Sequence, residues 1–334
     1  MSARESTHHV DAEITTFAVR ALDDRAVVAL GTADGTSWWI DLVDASQYST
    51  ATDVDLPTGI AIHPHRDEVT LTGPRGYAVW RPGYGVEQQL GRGWGSAAAY
   101  AHGGDLAVAV GRTVRIHADA EGSEPYVSAP APSTVTDVAW TPQGNRVAAS
   151  AYGGVYVHDG RAAEPVRVYP YLGSHLAVAV NPNRRWVCSG NQDASVHIWR
   201  TSDGEELQMT GFPQKVTRLA FDDTGRWMAN NGAEEVAVWD FIGQGPGGRN
   251  ALMLPGHSRV VDLDWRPGQG GRLVTAGAEG GVRLWNLTGA KAGQRRRIPG
   301  RALAFDDALG ARWLGTDRVV VTRADGVVSV VGIS

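Results

Sequence analysis

Histidines, paired carboxylates and one glycine-rich run are the groups in this chain whose types and spacing could do chemistry. His63-Pro64-His65 and His8-His9 offer imidazoles, which suit zinc and other transition metals. A metal centre needs three or four converging ligands, and no Cys/His set or H-E-x-x-H run completes one. Gly243-Gln244-Gly245-Pro246-Gly247-Gly248 has the form G-x-G-x-x-G. A dinucleotide fingerprint must follow a strand and open a helix, and no helical periodicity follows Gly248, so the run reads as a flexible loop. Asp222-Asp223 and Asp306-Asp307 pair carboxylates, but each pair stands in a turn, where aspartate caps backbone amides. No G-x-S-x-G elbow supplies a hydrolase nucleophile. Asn286-Leu287-Thr288 has the form of a glycosylation acceptor, without consequence in a cytosolic chain. Arg295-Arg296-Arg297 reads as a solvated loop or as a patch for an acidic partner. No catalytic, cofactor-binding or metal-binding residue is assigned, and no cofactor is expected.

The elements that must position any site are set by composition. Acids outnumber bases, with a net charge of -5, which speaks against a chain that lives on phosphate contacts, so no nucleic-acid partner is expected. Hydrophobic residues make up 43%, enough for a large core, and no apolar stretch is long enough for a membrane span. One cysteine, Cys188, cannot form an internal disulfide, and the polar N-terminus lacks the apolar heart of a signal peptide. A cytoplasmic protein, not inserted in a membrane, is expected. Forty-two glycines without a collagen period imply many turns, and twelve tryptophans must be buried between short strands.

Those strands repeat. The clearest phrase runs Gly256-His257-Ser258-Arg259-Val260-Val261-Asp262-Leu263-Asp264-Trp265-Arg266-Pro267, then Arg272–Gly277, then Gly281-Val282-Arg283-Leu284-Trp285. Each piece is a short apolar run closed by Gly, Pro or Asp, the signature of strand, turn and strand. Positions equivalent to Trp265 fall at Val19, Ile62, Tyr100, Trp140, Val180, Phe221 and Phe305, in steps of 38 to 44 residues. That is the propeller-blade range. Positions equivalent to Trp285 fall at Trp80, His117, His158, Trp199 and Trp239. His117 and His158 thus occupy a tryptophan slot, as hydrogen-bonding fillers or as a pH-sensitive seam. The phrase predicts one domain over 1–334, with units starting near 13, 56, 94, 134, 174, 215, 259 and 299. The last unit ends on Val327–Val331 without a fourth strand, and the segment from Glu5 to Val10 is spare. Pairing that segment onto the last unit removes an open edge.

Gly256-His257, Trp140-Thr141-Pro142-Gln143-Gly144, Ser189-Gly190-Asn191-Gln192-Asp193 and Trp239-Asp240 resemble the WD40 repeat family, of the stand-alone bacterial type. The resemblance covers nearly the whole chain. It implies an all-β propeller of four-stranded blades, eight by the repeat count with seven as the alternative, closed by the N-terminal strand. No unit carries the family's full buried Asp-His-Ser/Thr-Trp set.

The resemblance also implies a docking face, built from the loops that lead into first strands and the turns between second and third strands. The first class gives Trp94, Thr134, Ser174, Lys215 and Arg259; the second gives Arg75, Tyr152, Gln192, Asn231 and Glu279. Trp, Tyr and Arg are enriched at interface hot spots. The expected function is a non-catalytic scaffold or adaptor that binds a protein or peptide partner on this face. One alternative is a propeller hydrolase or lyase with a central-channel site, which needs carboxylates or histidines converging from first strands. Another is a regulatory partner of a bacterial metal-handling or signalling protein.

Overall fold

Short runs of β-branched and small apolar residues, cut by Gly, Pro and Asp turns, become extended backbone from one end of the chain to the other. The computed structural model describes residues 4–22, 25–89, 93–120, 124–268, 270–291 and 298–333. Among those residues there are thirty strands and no helix. The chain divides into two units, Val10–Val178 and Met1–His9 with Ala179–Ser334. Arg295-Arg296-Arg297 lies outside the described residues.

The strands form seven sheets, six of four strands and one of six. The chain is an all-β propeller of four-stranded blades, and its sheets give the alternative count of seven. The reason lies in one stretch of sequence. The first half of Val147–His158 pairs with Asp137–Trp140, and its second half pairs with Arg167–Val180. Arg167–Val180 then runs on unbroken to neighbour Trp186–Asn191. The phrases beginning near 134 and 174 therefore share a single six-stranded sheet. Pro170 and Gly173 lie inside that long strand, where pairing to neighbours overrides their local signal for a break.

A second departure falls near the C-terminus. Residues 301–306, expected as the first strand of the last unit, pair with Gly281–Asn286 as the fourth strand of the preceding sheet. The first strand of the last sheet is Ala308–Leu314, so Phe305 is not equivalent to Trp265. Both runs are short and mostly apolar, and periodicity alone cannot choose between them. The expected closure is present: Arg4–His9 pairs antiparallel with Val327–Gly332, in the sheet that also holds Arg318–Arg323 and Ala308–Leu314.

Burial grades across each sheet. Second strands such as Leu106–Val110 and Trp186–Asn191 are buried at every position, whereas the fourth strand Gln47–Ala51 is largely exposed. Within each unit, neighbouring sheets pack face to face, which is why inner strands read as continuous apolar runs. In the unit Val10–Val178, Trp39 and Ala29 meet Leu71 and Trp80, and Ala107 and Val114 meet Val138 and Ala149. In the other unit, Trp186 and Ile198 meet Met228 and Trp239, and Trp227 meets Leu273 and Trp285.

Candidate functional site

Within Val10–Val178, a ladder of backbone contacts strings the expected docking positions along one edge. The turn carrying Arg75 ends at Gly76, whose carbonyl would lie 2.2 Å from a Cβ on Gly95, so only glycine fits after Trp94. Gly111 donates its amide to Trp94 O at 2.7 Å, and Val135, next to Thr134, donates to Gly111 O at 2.8 Å. Ser133 Oγ accepts the amide of Tyr152 at 2.9 Å, and Tyr152 pairs with Ser174 across the strands. Trp94 and Tyr152 remain 49% and 43% exposed. Arg75 and Thr134 are exposed, and Ser174 is half-buried.

The other unit repeats the pattern. Val216, beside Lys215, donates to Asn191 O, beside Gln192; Gln214 donates to Gly232 O; Val260 donates to Ala233 O; Ala278 donates to Arg259 O. Gln192, Lys215, Arg259 and Glu279 are exposed. Asn231 is different. It is buried, and its amide group accepts from the Thr217 and Arg218 amides and donates to Thr217 Oγ1, so it builds the loop and presents nothing to a partner.

What holds this edge was not read from the sequence. Thr15, Thr58, Ser96 and Thr136 occupy the same place in the repeat, at or just before the start of successive first strands. Each hydroxyl donates to a carbonyl of the next repeat: Pro57 at 3.0 Å, Gly95 at 3.1 Å, Val135 at 2.5 Å and His175 at 2.6 Å. The signal was a hydroxyl residue recurring at the repeat period. Carboxylates perform a similar task along the first strands. Asp137 accepts the Val178 amide, Asp262 that of Ala311 and Asp264 that of Trp313, at 3.0, 3.2 and 2.8 Å. First strands thus carry carboxylates, one of the residue types that a central-channel enzyme would need. Arg312 pairs with Asp262, and loss of water pushes the Asp264 carboxyl up to about 6. In the Asp262–Asp264–Arg312 group, one oxygen of each carboxylate satisfies a strand-edge amide.

One repeat carries a buried His-Thr-Trp set, with an exposed glutamate in the aspartate role. Trp285 Nε1 donates to Thr275 Oγ1 at 2.9 Å, His257 Nε2 lies 2.8 Å from the same oxygen, and His257 Nδ1 lies 2.6 Å from Glu279 Oε1. The Glu279 carboxylate also accepts from the Ser258 amide and hydroxyl. Burial raises the Glu279 pKa, but the bonds from His257 and Ser258 prevail and hold it at about 2. Glu279, expected to meet a partner, is a structural anchor as well as an exposed residue.

The histidines have similar work. His117 Nε2 is 2.8 Å from Tyr77 Oη, and His158 Nδ1 is 3.1 Å from Tyr126 Oη. Burial lowers both, His158 to about 4, so both are hydrogen-bonding fillers and His158 does not titrate near neutrality. His63 Nδ1 accepts the amides of His65 and Arg66, each at 3.0 Å, and so caps its turn. Among the described residues, no group of three or more His, Cys, Asp or Glu is placed to hold a metal ion. Asp222 caps its turn through the Trp227 amide and Thr224 hydroxyl. Asp306 ends a strand rather than opening a unit, and Asp307 pairs with Arg323. The run Gly243–Gly248 is a loop between Val236–Asp240 and Leu252–Leu254, and no helix follows it.

Sequence comparison agrees with this architecture. A family model described as WD domain, G-beta repeat matches residues 165–200, which span the long strand and the two after it. The chain is thus an all-β propeller that fits a WD40 repeat family. It is similar to the periodic tryptophan protein 2 homolog of Schizosaccharomyces pombe, 29% identical over 144 residues. That match covers 40% of this chain and 16% of the relative, so the chain spans only a small part of the curated relative's length. Propeller, repeat and relative together support a protein-interaction scaffold in general terms.

Proposed function

We propose that the protein is a non-catalytic adaptor that captures a protein or peptide partner on the loop edge of the unit Val10–Val178, centred on Trp94 and Tyr152. The observation that carries this reading is the exposure of two large aromatics on an edge whose backbone is locked by hydrogen bonds. Exposed aromatic area on a rigid support is the usual chemistry of an interface hot spot. Rigidity also lowers the ordering cost of association. Arg75 and Thr134 supply the polar rim, and a cytoplasmic partner suits a chain with a single buried cysteine.

Tagged wild-type protein and the variants Trp94→Ala, Tyr152→Ala and the double variant would be used to capture partners from a bacterial lysate. Bound proteins would then be quantified by mass spectrometry. The partner should fall by about tenfold or more in the double variant, as hot-spot truncations do, with the thermal melt unchanged. Equal recovery by all four proteins would sink the assignment.

A further inference from the structure

The unit Ala179–Ser334 holds a cleft that the loop edge does not use. Its volume is about 690 Å³, and three cationic side chains line it: Arg226, Arg249 and Lys291. One carboxylate, Asp240, opposes them, and it is buried beneath the cleft with its oxygens engaged. Asp240 accepts Arg226 Nε and Nη2 at 3.3 and 3.1 Å and the Ile242 amide at 3.0 Å.

The two guanidinium groups are fixed before any ligand arrives. Arg226 also donates to Ala290 O at 3.0 Å and lies 4.4 Å above the Trp227 ring. Arg249 donates through Nη1 to the carbonyls of Asp240 and Ile242, at 3.3 and 3.0 Å. The glycine-rich loop delivers it. The Arg249 amide closes a turn on Pro246 O, and Gly245 has φ +90° with a Cβ position 2.5 Å from the Trp186 ring. No other residue fits there without moving the loop. Arg226 Nη1, Arg249 Nε and Nη2, and the Lys291 ammonium have no acceptor among the described residues.

We propose that this cleft binds a phosphorylated side chain of a peptide. A phosphate monoester brings nearly two negative charges and three strong acceptor oxygens, matching the surplus cations and the uncommitted, forked donors. The cleft is larger than one phosphate requires. Ile242 lines it and is 53% exposed, an apolar seat for the residue beside the phosphate. The G-x-G-x-x-G spacing thereby gains a role without a dinucleotide: it aims an arginine.

The test is fluorescence anisotropy with a labelled, leucine-containing peptide bearing one phosphoserine, its unphosphorylated twin, and inorganic phosphate as competitor. Wild-type protein should bind the phosphopeptide about tenfold or more tightly than the twin, and Lys291→Glu and Arg249→Ala should each remove most of that preference. Lys291 is exposed, so the melt of Lys291→Glu reports intact folding. Equal affinity for both peptides, or an unchanged preference in a folded Lys291→Glu variant, would overturn the proposal. Binding of inorganic phosphate without binding of the phosphopeptide would overturn it in favour of a free anion. No binding up to about millimolar peptide, the weak end of specific recognition, would overturn it outright.

Discussion

Protonating His158 must place a charge where there is no water to receive it. The Tyr126 hydroxyl lies 2.8 Å from Ala162 O and 3.1 Å from His158 Nδ1, so a protein group rather than water faces that nitrogen. Burial holds the ring at about 4 in the folded chain, against 6.5 when unfolded. Above pH 6.5 both states are neutral and the group has no effect. Between those values only the unfolded chain takes the proton, so stability falls as pH falls, by ~3 kcal/mol in all from this residue. His63, His117 and His257 are shifted in the same direction by burial. Urea midpoints taken from about pH 7.5 to pH 4 should therefore drop for wild type, and His158→Asn should give a shallower drop at constant slope m. Superimposable pH profiles would refute the assignment. A second residue-scale test concerns Thr275, whose one oxygen serves both His257 and Trp285. Thr275→Val keeps the shape and strands two buried groups, so denaturant unfolding should show a loss of about 2 kcal/mol, and Thr275→Ser much less. Equal losses in the two variants would mean that packing, not the hydroxyl, matters.

At the scale of the strand, sheets that merely touched could slide, and the hydroxyl staples oppose this. Thr136 Oγ1 reaches His175 O and the Ser150 hydroxyl, while Ser96 Oγ reaches Val135 O. Thr136→Val and Ser96→Ala should each cost about 1 kcal/mol by denaturant melts, and because Ser96 bonds the carbonyl next to Thr136 the two losses should be coupled in the double variant. Much of this level was legible beforehand. Apolar and aromatic landmarks recurring at the blade period fell in seven strands, from Val19 to Trp265, and the spare N-terminal segment disclosed the closure. The eighth failed because Arg301–Asp306 and Ala308–Leu314 carry interchangeable patterns, and only pairing to Gly281–Asn286 decides between them. The long strand Arg167–Val180 hid its continuity behind a proline and a glycine. Of the candidate site, the loop positions could be found by counting from a landmark. Asn231 and Glu279 could not be judged that way, since whether a turn residue faces solvent or anchors the loop depends on partners distant in sequence. Arg226, Arg249 and Lys291 sit in loops without periodicity, so nothing local announced their convergence.

For the whole molecule, the sheet holding both chain ends makes the most demanding requirement. Arg4 lies opposite Val331 and His9 opposite Val327, so a strand from the first ten residues must find the last ten before that sheet is complete. Long-range pairing of this kind slows folding, because the closure entropy is lost before the contacts form. Removing residues 1–9 should leave Val327–Gly332 as an open, β-branched edge, the geometry that recruits other chains. The deletion should therefore lower the melting temperature and produce concentration-dependent aggregates, read by light scattering. Because the pairing is antiparallel, the beginning of the N-terminal strand lies near the end of its partner. A permuted chain that starts at Val10 and carries residues 4–9 after Ile333 through an Asn-Gly turn turns the closure into a local hairpin. That variant should recover the wild-type melt and refold faster than wild type in stopped-flow experiments. If the deletion alone stays monomeric and fully stable, or if the permuted chain aggregates as the deletion does, then edge pairing is not what the N-terminal strand contributes.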